Sequence, residues 1–261
     1  MSKRNTPARR HTILGLLNEH GEVSVDDLAQ RLMVSEVTIR KDLTALENNG
    51  LLLRRYGGAV VLPQEFIAEE VAPTLSPWKQ AIAKAAAGLI REHARIIVDS
   101  GSTTTAMFSE LGHKPGLVVM TNSLDVAHVL RELEPEPVLL MTGGTWDPNS
   151  ESFQGQVAEQ VLRSYDFDQL FIGADGIDLE RGTTTFNELL GVSRVMAEVA
   201  REVVVLAEAD KLGRRIPNLE LPWSSIHTLV TDERLPEDAR QNIQARGVKL
   251  ICATTESLRG Y

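Results

Sequence analysis

Residues 24–60 read SVDDLAQRLMVSEVTIRKDLTALENNGLLLRRYGGAV, and this stretch decides the architecture of the N-terminal region. Ser24 suits a helix N-cap, Asp26 and Asp27 fall in the first turn, and Leu28 and Leu32 stand at i, i+4. Met33 and Val34 form a tight turn before Ser35 caps a second helix, which Asn49 and Gly50 close. Val37, Ile39, Leu43 and Leu46 are its apolar positions, while Thr38, Arg40, Lys41 and Thr44 point elsewhere. Two short β-prone runs then flank Arg54, Arg55, Tyr56, Gly57 and Gly58, and the Gly-Gly pair signals a tight hairpin. Upstream, residues 8–19 place Ile13, Leu16 and Leu17 on one helical face, stopped by Gly21. Three short helices and a basic hairpin outline a winged helix-turn-helix. In that arrangement the third helix enters the major groove, so Ser35, Thr38, Arg40, Lys41 and Thr44 are candidates for contacting DNA. Arg54, Arg55 and Tyr56 in the wing suit phosphate or minor-groove contacts.

The charge is distributed to match. The chain has 261 residues and a net charge of −9. Residues 1–60 hold 9 Lys and Arg against 7 Asp and Glu, whereas the remainder holds 18 against 29. A mildly basic head on an acidic body implies that any polyanion is met by the head. An apolar content of 43% is ample for a core, and 5% aromatics argue against a stacking platform for single strands. A single cysteine, Cys252, excludes a disulfide framework and is read as buried and inert. With no apolar run of about 20 residues and no signal-peptide pattern at the basic N-terminus, a cytoplasmic location and no membrane partner are expected.

Residues 63–78 carry three prolines and read as a linker. A helix is expected at about 79–92. A rhythm follows: strand-like runs at 94–100, 116–122, 137–143, 168–175, 202–208, 227–232 and 248–253, with helical stretches at about 102–112, 124–134, 155–164, 188–201 and 236–246. Near-continuous apolar strands alternating with helices predict an α/β domain whose largely parallel sheet is covered on both faces.

In such sheets ligands sit beyond the carboxyl ends of the strands. After IIVDS come Gly101, Ser102, Thr103, Thr104 and Thr105, opening a helix and forming a candidate phosphate site. The stretch is neither a P-loop nor a dinucleotide fingerprint, so no nucleotide cofactor is expected. Other strand ends repeat the theme: Thr121, Asn122 and Ser123; then Thr142, Gly143, Gly144 and Thr145; then Asp175, Gly176 and Asp178. Residues 183–188, TTTFNE, read as a polar cluster at the start of a helix, and Lys211 and Arg214 add cations. Hydroxyls, small residues and an acid suit a polyol phosphate.

The head stretch resembles the DNA-binding signature of the DeoR family of bacterial transcriptional repressors. The pattern is carried by Val34, Ser35, Thr38, Ile39, Arg40, Asp42, Leu43, Leu46, Glu47, Gly50, Arg54 or Arg55, Tyr56, Gly57, Gly58 and Ala59. The order DSGSTT, TNS, TGG, SFQG, FIGADGID, TTFNE and ADKLGR likewise resembles the sensor domain of that family. Its wording is most similar to the glucitol (sorbitol) operon repressors, with the galactosamine branch next. The resemblance implies a winged helix-turn-helix over 1–62, a linker over 63–78, a sugar-phosphate sensor and oligomerisation domain over 79–253, and a tail over 254–261. It implies double-stranded operator DNA, a phosphorylated sugar or sugar-alcohol effector and a homo-oligomer as partners. Asp99, Gly101, Ser102, Thr103, Asp175, Glu188 and Lys211 become implied pocket linings.

The sensor fold is itself similar to ribose-5-phosphate isomerase, so an isomerase-like enzyme with a DNA-binding head is the alternative reading. Asp175, Asp178 and Glu188 fall in comparable places, but Arg181 stands where a lysine would help. Proton shuttling needs a tuned base and a proton-donating electrophile, and an arginine is a clamp rather than an acid. The expectation is a retained binding site without the chemistry. The six histidines show no metal-ligand spacing, and SFQG at 152–155 is not a nucleophile elbow. Trp146, after the TGG turn, reads as packing more than as a pocket cover.

Overall fold

The computed structural model describes residues 9–10, 12–13, 16–17, 21–47, 52–55, 57–60, 75–111, 113–214 and 216–258. The chain divides into two compact units, residues 1–74 and 75–261.

In the first unit, Arg9, Arg10, Thr12, Ile13, Leu16 and Leu17 are helical, and Gly21, at φ 77°, donates its N–H to Leu17 O. Strand β1 (Glu22–Ser24) leads into helix α1 (Val25–Leu32), where the Ser24 hydroxyl accepts from Asp27 N as the sequence predicts. Met33, at φ 51°, makes the turn into helix α2 (Glu36–Glu47). Strands β2 (Leu53–Arg55) and β3 (Gly58–Val60) complete an antiparallel sheet in the order β1-β3-β2. Gly58 is required there. A Cβ on it would lie 2.1 Å from Val23 O, so only glycine lets β3 close on β1. Ile13, Leu17, Leu28, Ile39, Leu43, Leu46 and Leu52 form the core of this unit. Val37 does not join them: it is 61% exposed, which corrects its placement on the apolar side of the helix.

The second unit opens with α3 (Pro77–Ala87), capped by Ser76, so the helix begins two residues earlier than expected and stops at Gly88. Then come β4 (Arg95–Val98), the short helix α4 (Ser102–Ala106) with a 3-10 turn at Met107–Glu110, β5 (Val118–Thr121), α5 (Leu124–Arg131) and β6 (Val138–Met141). A hairpin, β7 (Thr145–Asp147) and β8 (Ser152–Gln154), precedes α6 (Gln156–Leu162) and β9 (Phe167–Ile172). Strands β10 (Gly176–Asp178) and β11 (Gly182–Thr185) are followed by α7 (Gly191–Val199) and β12 (Ala200–Leu206). After β13 (Asn218–Pro222) come β14 (Thr228–Asp232), α8 (Glu237–Ala245) and β15 (Lys249–Ala253).

The seven expected strands form one parallel sheet, ordered β15-β14-β12-β9-β4-β5-β6. Burial on both faces explains their unbroken apolar runs. Ile97 faces the layer of Leu162, Val192, Val195 and Met196, whereas Ile96 and Val98 face Ile82, Ala86, Phe108 and Val126. Chain order runs outward from the middle in both directions, so the switch point lies between β4 and β9.

Sequence reading missed a second sheet, antiparallel, in the order β10-β11-β13. Thr183, Thr184 and Thr185 belong to β11, not to the start of a helix, which begins only at Gly191. β-Branched threonines fit a pleated surface, and their burial in that strand overrides the capping role that hydroxyls suggest.

Candidate DNA-reading face and effector site

The polar residues of α2 are held by a local network. Ser35 Oγ and Thr38 Oγ1 share a hydrogen bond of 3.0 Å, and Thr38 N donates to Ser35 Oγ at 3.3 Å, which is the predicted cap. Arg40 pairs with Glu36 at 2.8 Å one turn earlier. Arg54 Nη1 donates to Thr44 Oγ1 at 2.9 Å, and Arg54 N donates to Glu47 Oε1 at 3.1 Å, so the wing is fastened to the helix. Arg40, Lys41 and Arg54 are exposed, while Thr38 and Thr44 are half-buried. Arg55 lies in β2 opposite Gly58, and Tyr56 falls outside the described residues.

Behind this face sits Asp42, 2% exposed, accepting from Arg9 Nε and, at 3.0 Å, from Arg10 Nε. The two arginines that gave the N-terminus its basic look anchor the back of α2 to the first helical segment.

In the second unit the strand ends meet at the switch point, where a ligand site is expected. Asp99 follows β4, and its Oδ1 accepts from Asn122 Nδ2, at the end of β5, at 2.8 Å. Asp175 follows β9, and its Oδ2 accepts from Thr185 Oγ1 at 2.7 Å and from Phe186 N at 3.1 Å. Lys211, buried, donates Nζ to Ala174 O at 2.8 Å. Glu220, on β13, was not foreseen; it is 7% exposed, hydrogen-bonds Ser193, and feels the charges of Asp99, Asp175 and Lys211. An acid between two leucines in a strand resembles an ordinary outward-facing residue, so only the tertiary fold reveals it.

The electrostatics follow from three acids crowding one lysine. Burial, then the charges of Asp99 and Asp175, push the Glu220 carboxyl up to about 8, against the pull of Ser193 and Lys211. Burial raises Asp99 to about 6, opposed by the Asn122 and Ser100 hydrogen bonds and reinforced by Asp175. Five buried polar atoms stay open among the described residues: Asn122 Oδ1 beside Asp99, Gln154 Oε1 on β8, Gln169 Oε1, Thr184 Oγ1 and Thr231 Oγ1. The β7-β8 hairpin docks here, since Phe153 N donates to Asn122 O at 2.8 Å. Nothing in this arrangement is placed to hold a metal: among the described residues no group of three His, Cys, Asp or Glu could do so.

The predicted phosphate loop is partly spent on itself. Thr104 Oγ1 donates to Asp99 O and Gly101 O, and Thr105 Oγ1 to Gly101 O. Helix α4, five residues long, offers little dipole. What sequence reading lacked is Lys79, whose Nζ reaches from α3 to Ser102 Oγ at 3.1 Å. Gly101, at φ 142°, Ser102 and the buried Thr103 thus have a cation beside them. Ser123 Oγ is occupied capping α5, and Gly143 and Gly144 take φ of 60° and 115° in the turn after β6. Gly176 lies in β10, where a Cβ would strike Thr184 Oγ1 at 2.5 Å. Glu188 stands exposed in the loop before α7. Asp178 is taken by Arg181 at 2.6 Å, and that hydrogen bond holds its carboxyl below the usual range. Arg181 also donates to Ile216 O and Pro217 O, so it clamps the protein's own loop.

The first turn of α3 touches both sides of this site. Ser76 Oγ donates to Glu208 Oε1 at 2.7 Å near Lys211, Trp78 lies under Arg234 at 4.5 Å, and Lys79 meets Ser102. No helix among the described residues is long and apolar enough to cross a membrane.

Known proteins match both units. Residues 9–65 match the family described as DeoR-like helix-turn-helix domain, and residues 76–233 the DeoR C terminal sensor domain. A putative aga operon transcriptional repressor of Escherichia coli O157:H7 is 38% identical over 252 residues, covering 94% of this chain and 93% of that protein. The regulator GlpR of Haloferax volcanii is 32% identical, covering 93% and 96%. A ribose 5-phosphate isomerase from Methanocaldococcus jannaschii is similar over 51% of this chain and 53% of its own, at 21% identity and a TM-score of 0.38.

Proposed function

The chain belongs to the DeoR family of transcriptional regulators, and from that premise we propose that it represses a sugar or sugar-alcohol operon until a phosphorylated sugar or polyol binds the second unit. The observation that carries the effector reading is the convergence of Asp99, Asn122, Asp175, Glu220 and Lys211 at the switch point, with Asn122 Oδ1 and Gln154 Oε1 still open. Carboxylates and amide oxygens accept from sugar hydroxyls, and the lysine donates to one. Ionised acids in this cluster repel a phosphate, so the phosphate end belongs at Gly101–Thr103, beside Lys79. Glu188, exposed, contributes only at the mouth.

The head contacts double-stranded operator DNA through α2 and the wing. One head covers few base pairs, so a cytoplasmic homo-oligomer on repeated half-sites is the working assembly. Relief of repression requires the effector to favour the arrangement that binds DNA poorly, and a coupling of about 1–3 kcal/mol changes operator affinity ~5–150-fold. Catalysis is not part of this reading: Arg181 is committed to Asp178 and the 216–217 carbonyls.

A thermal-shift panel on the full chain tests it, using sugar phosphates, polyol phosphates and their unphosphorylated parents. Ligand at a hundredfold excess over Kd stabilises by about 2.7 kcal/mol. The expected result is a shift with one phosphorylated compound, none with its parent, and weaker DNA binding in its presence. A flat panel, or turnover of the compound that binds, overturns the effector reading.

A further inference from the structure

We infer that Val37 is a base-reading residue of the head, and that its contact is the C5 methyl group of a thymine in the major groove. The inference rests on the DNA-reading assignment of α2 and adds to it a specificity that no polar residue supplies.

On α2, Val37, Arg40, Lys41 and Thr44 are spaced i, i+3, i+4 and i+7, so they share one face. The opposite face holds Ile39, Asp42, Leu43 and Leu46, all buried. Val37 is 61% exposed in the first turn of the helix, the part whose side chains reach base edges when such a helix docks. Its neighbours on that face compete for their own partners: Arg40 is paired with Glu36, and Thr44 donates to Arg40 O while accepting from Arg54. Val37 carries no such tie.

A lone exposed aliphatic residue is ordinary on a protein surface. This one stands among cations, on a helix where a β-branched residue lowers propensity. A protein partner would call for an apolar patch of several hundred Å², and the other described residues of this face are Arg40, Lys41 and Thr44, with the exposed Met33 set apart in the turn before the helix. Cations flanking a single branched aliphatic group match a surface that is anionic at its rims and carries methyl groups on its floor. The major groove is that surface, and thymine is the base that presents a methyl there.

The test uses full-length protein and a duplex enriched from a random library by the protein itself. Each thymine of that duplex is replaced in turn by deoxyuridine, which removes only the C5 methyl. Burying one such group is worth about 0.8 kcal/mol, so a roughly fourfold loss of affinity is expected at one thymine per half-site. Val37→Ala should lose a similar factor on the thymine duplex and become indifferent to deoxyuridine at that position, while Val37→Thr, which keeps one methyl, should retain part of the response. Deoxyuridine sensitivity that persists unchanged in Val37→Ala, or is absent from the native protein, overturns the assignment of Val37. Failure to enrich any duplex would instead sink the DNA-reading assignment of α2, and Val37 with it.

Discussion

Asp42 in the head and Glu220 in the second unit are both buried acids, and they are surrounded in opposite ways. Asp42 accepts from two guanidinium groups, Arg9 and Arg10. Glu220 shares its space with Asp99 and Asp175, with Lys211 in answer. A buried charge with its counter-charges in place holds structure together; acids crowded without enough cations are poised for something that arrives later. The difference separates the fastening of α2 from the acid cluster at the switch point, although both acids are buried.

The comparison breaks most easily at Asp42. Asp42→Ala strands Arg9 and Arg10 against the back of α2, and removal of one partner from a buried pair costs about 3 kcal/mol. Hydrogen exchange of peptides from residues 25–47 should quicken sharply while the second unit is unchanged; equal protection would mean that the two arginines are idle.

Glu220→Gln sharpens it from the other side. Because the folded state raises the carboxyl above its unfolded value, the folded protein holds a proton that the unfolded chain lacks. Stability is therefore full below the unfolded pKa of 4.5 and declines as pH rises to about 8, at about 1.4 kcal/mol per pH unit for that proton. Asp99 adds a similar decline up to about 6. The depressed acids act elsewhere: Asp178, held down by Arg181, and Asp232, where Arg234 and the Ala209 N–H outweigh burial, lose their contribution only below 3.8. Unfolding of Glu220→Gln should match the native protein near pH ~5 and be the more stable above pH ~8. Parallel pH profiles would remove Glu220 from the cluster.

Arg40→Ala probes the head at its surface, where the pair with Glu36 contributes little to stability. Operator affinity should fall at least about tenfold with unchanged unfolding. A normal footprint would show that α2 is not the reading helix. The smallest effect is expected at Ser76→Ala, about 1 kcal/mol from the lost cap. Its telling readout is the effector response: weakened relief of DNA binding at unchanged effector affinity, against no change in either if Ser76 is only a cap.

The seven-stranded sheet was legible because burial on both faces fills the middle of its strands mostly with Val, Ile, Leu and Phe, and Ser24 and Ser35 announced their helices through the backbone donors they cap. What escaped depends on distant parts of the chain. Glu220, Lys79 and the Asp42 anchor become meaningful only when β13, α3 and the first helical segment are brought against their partners. Val37 is different. Two residues from Ile39, it stands about 200° around the helix from the core, an angle that the 3.6-residue period already contains. The threonines of β11 misled because a hydroxyl serves a helix cap and a buried strand equally well.

The first turn of α3 has a mechanical consequence. It is the first described turn of the second unit after the linker stretch, and Ser76, Trp78 and Lys79 are fastened to the Glu208 loop, to Arg234 and to the Ser102 loop. Three separate loops thus converge on one helical turn, so a change in any of them is felt first at Ser76, Trp78 and Lys79, where the second unit begins.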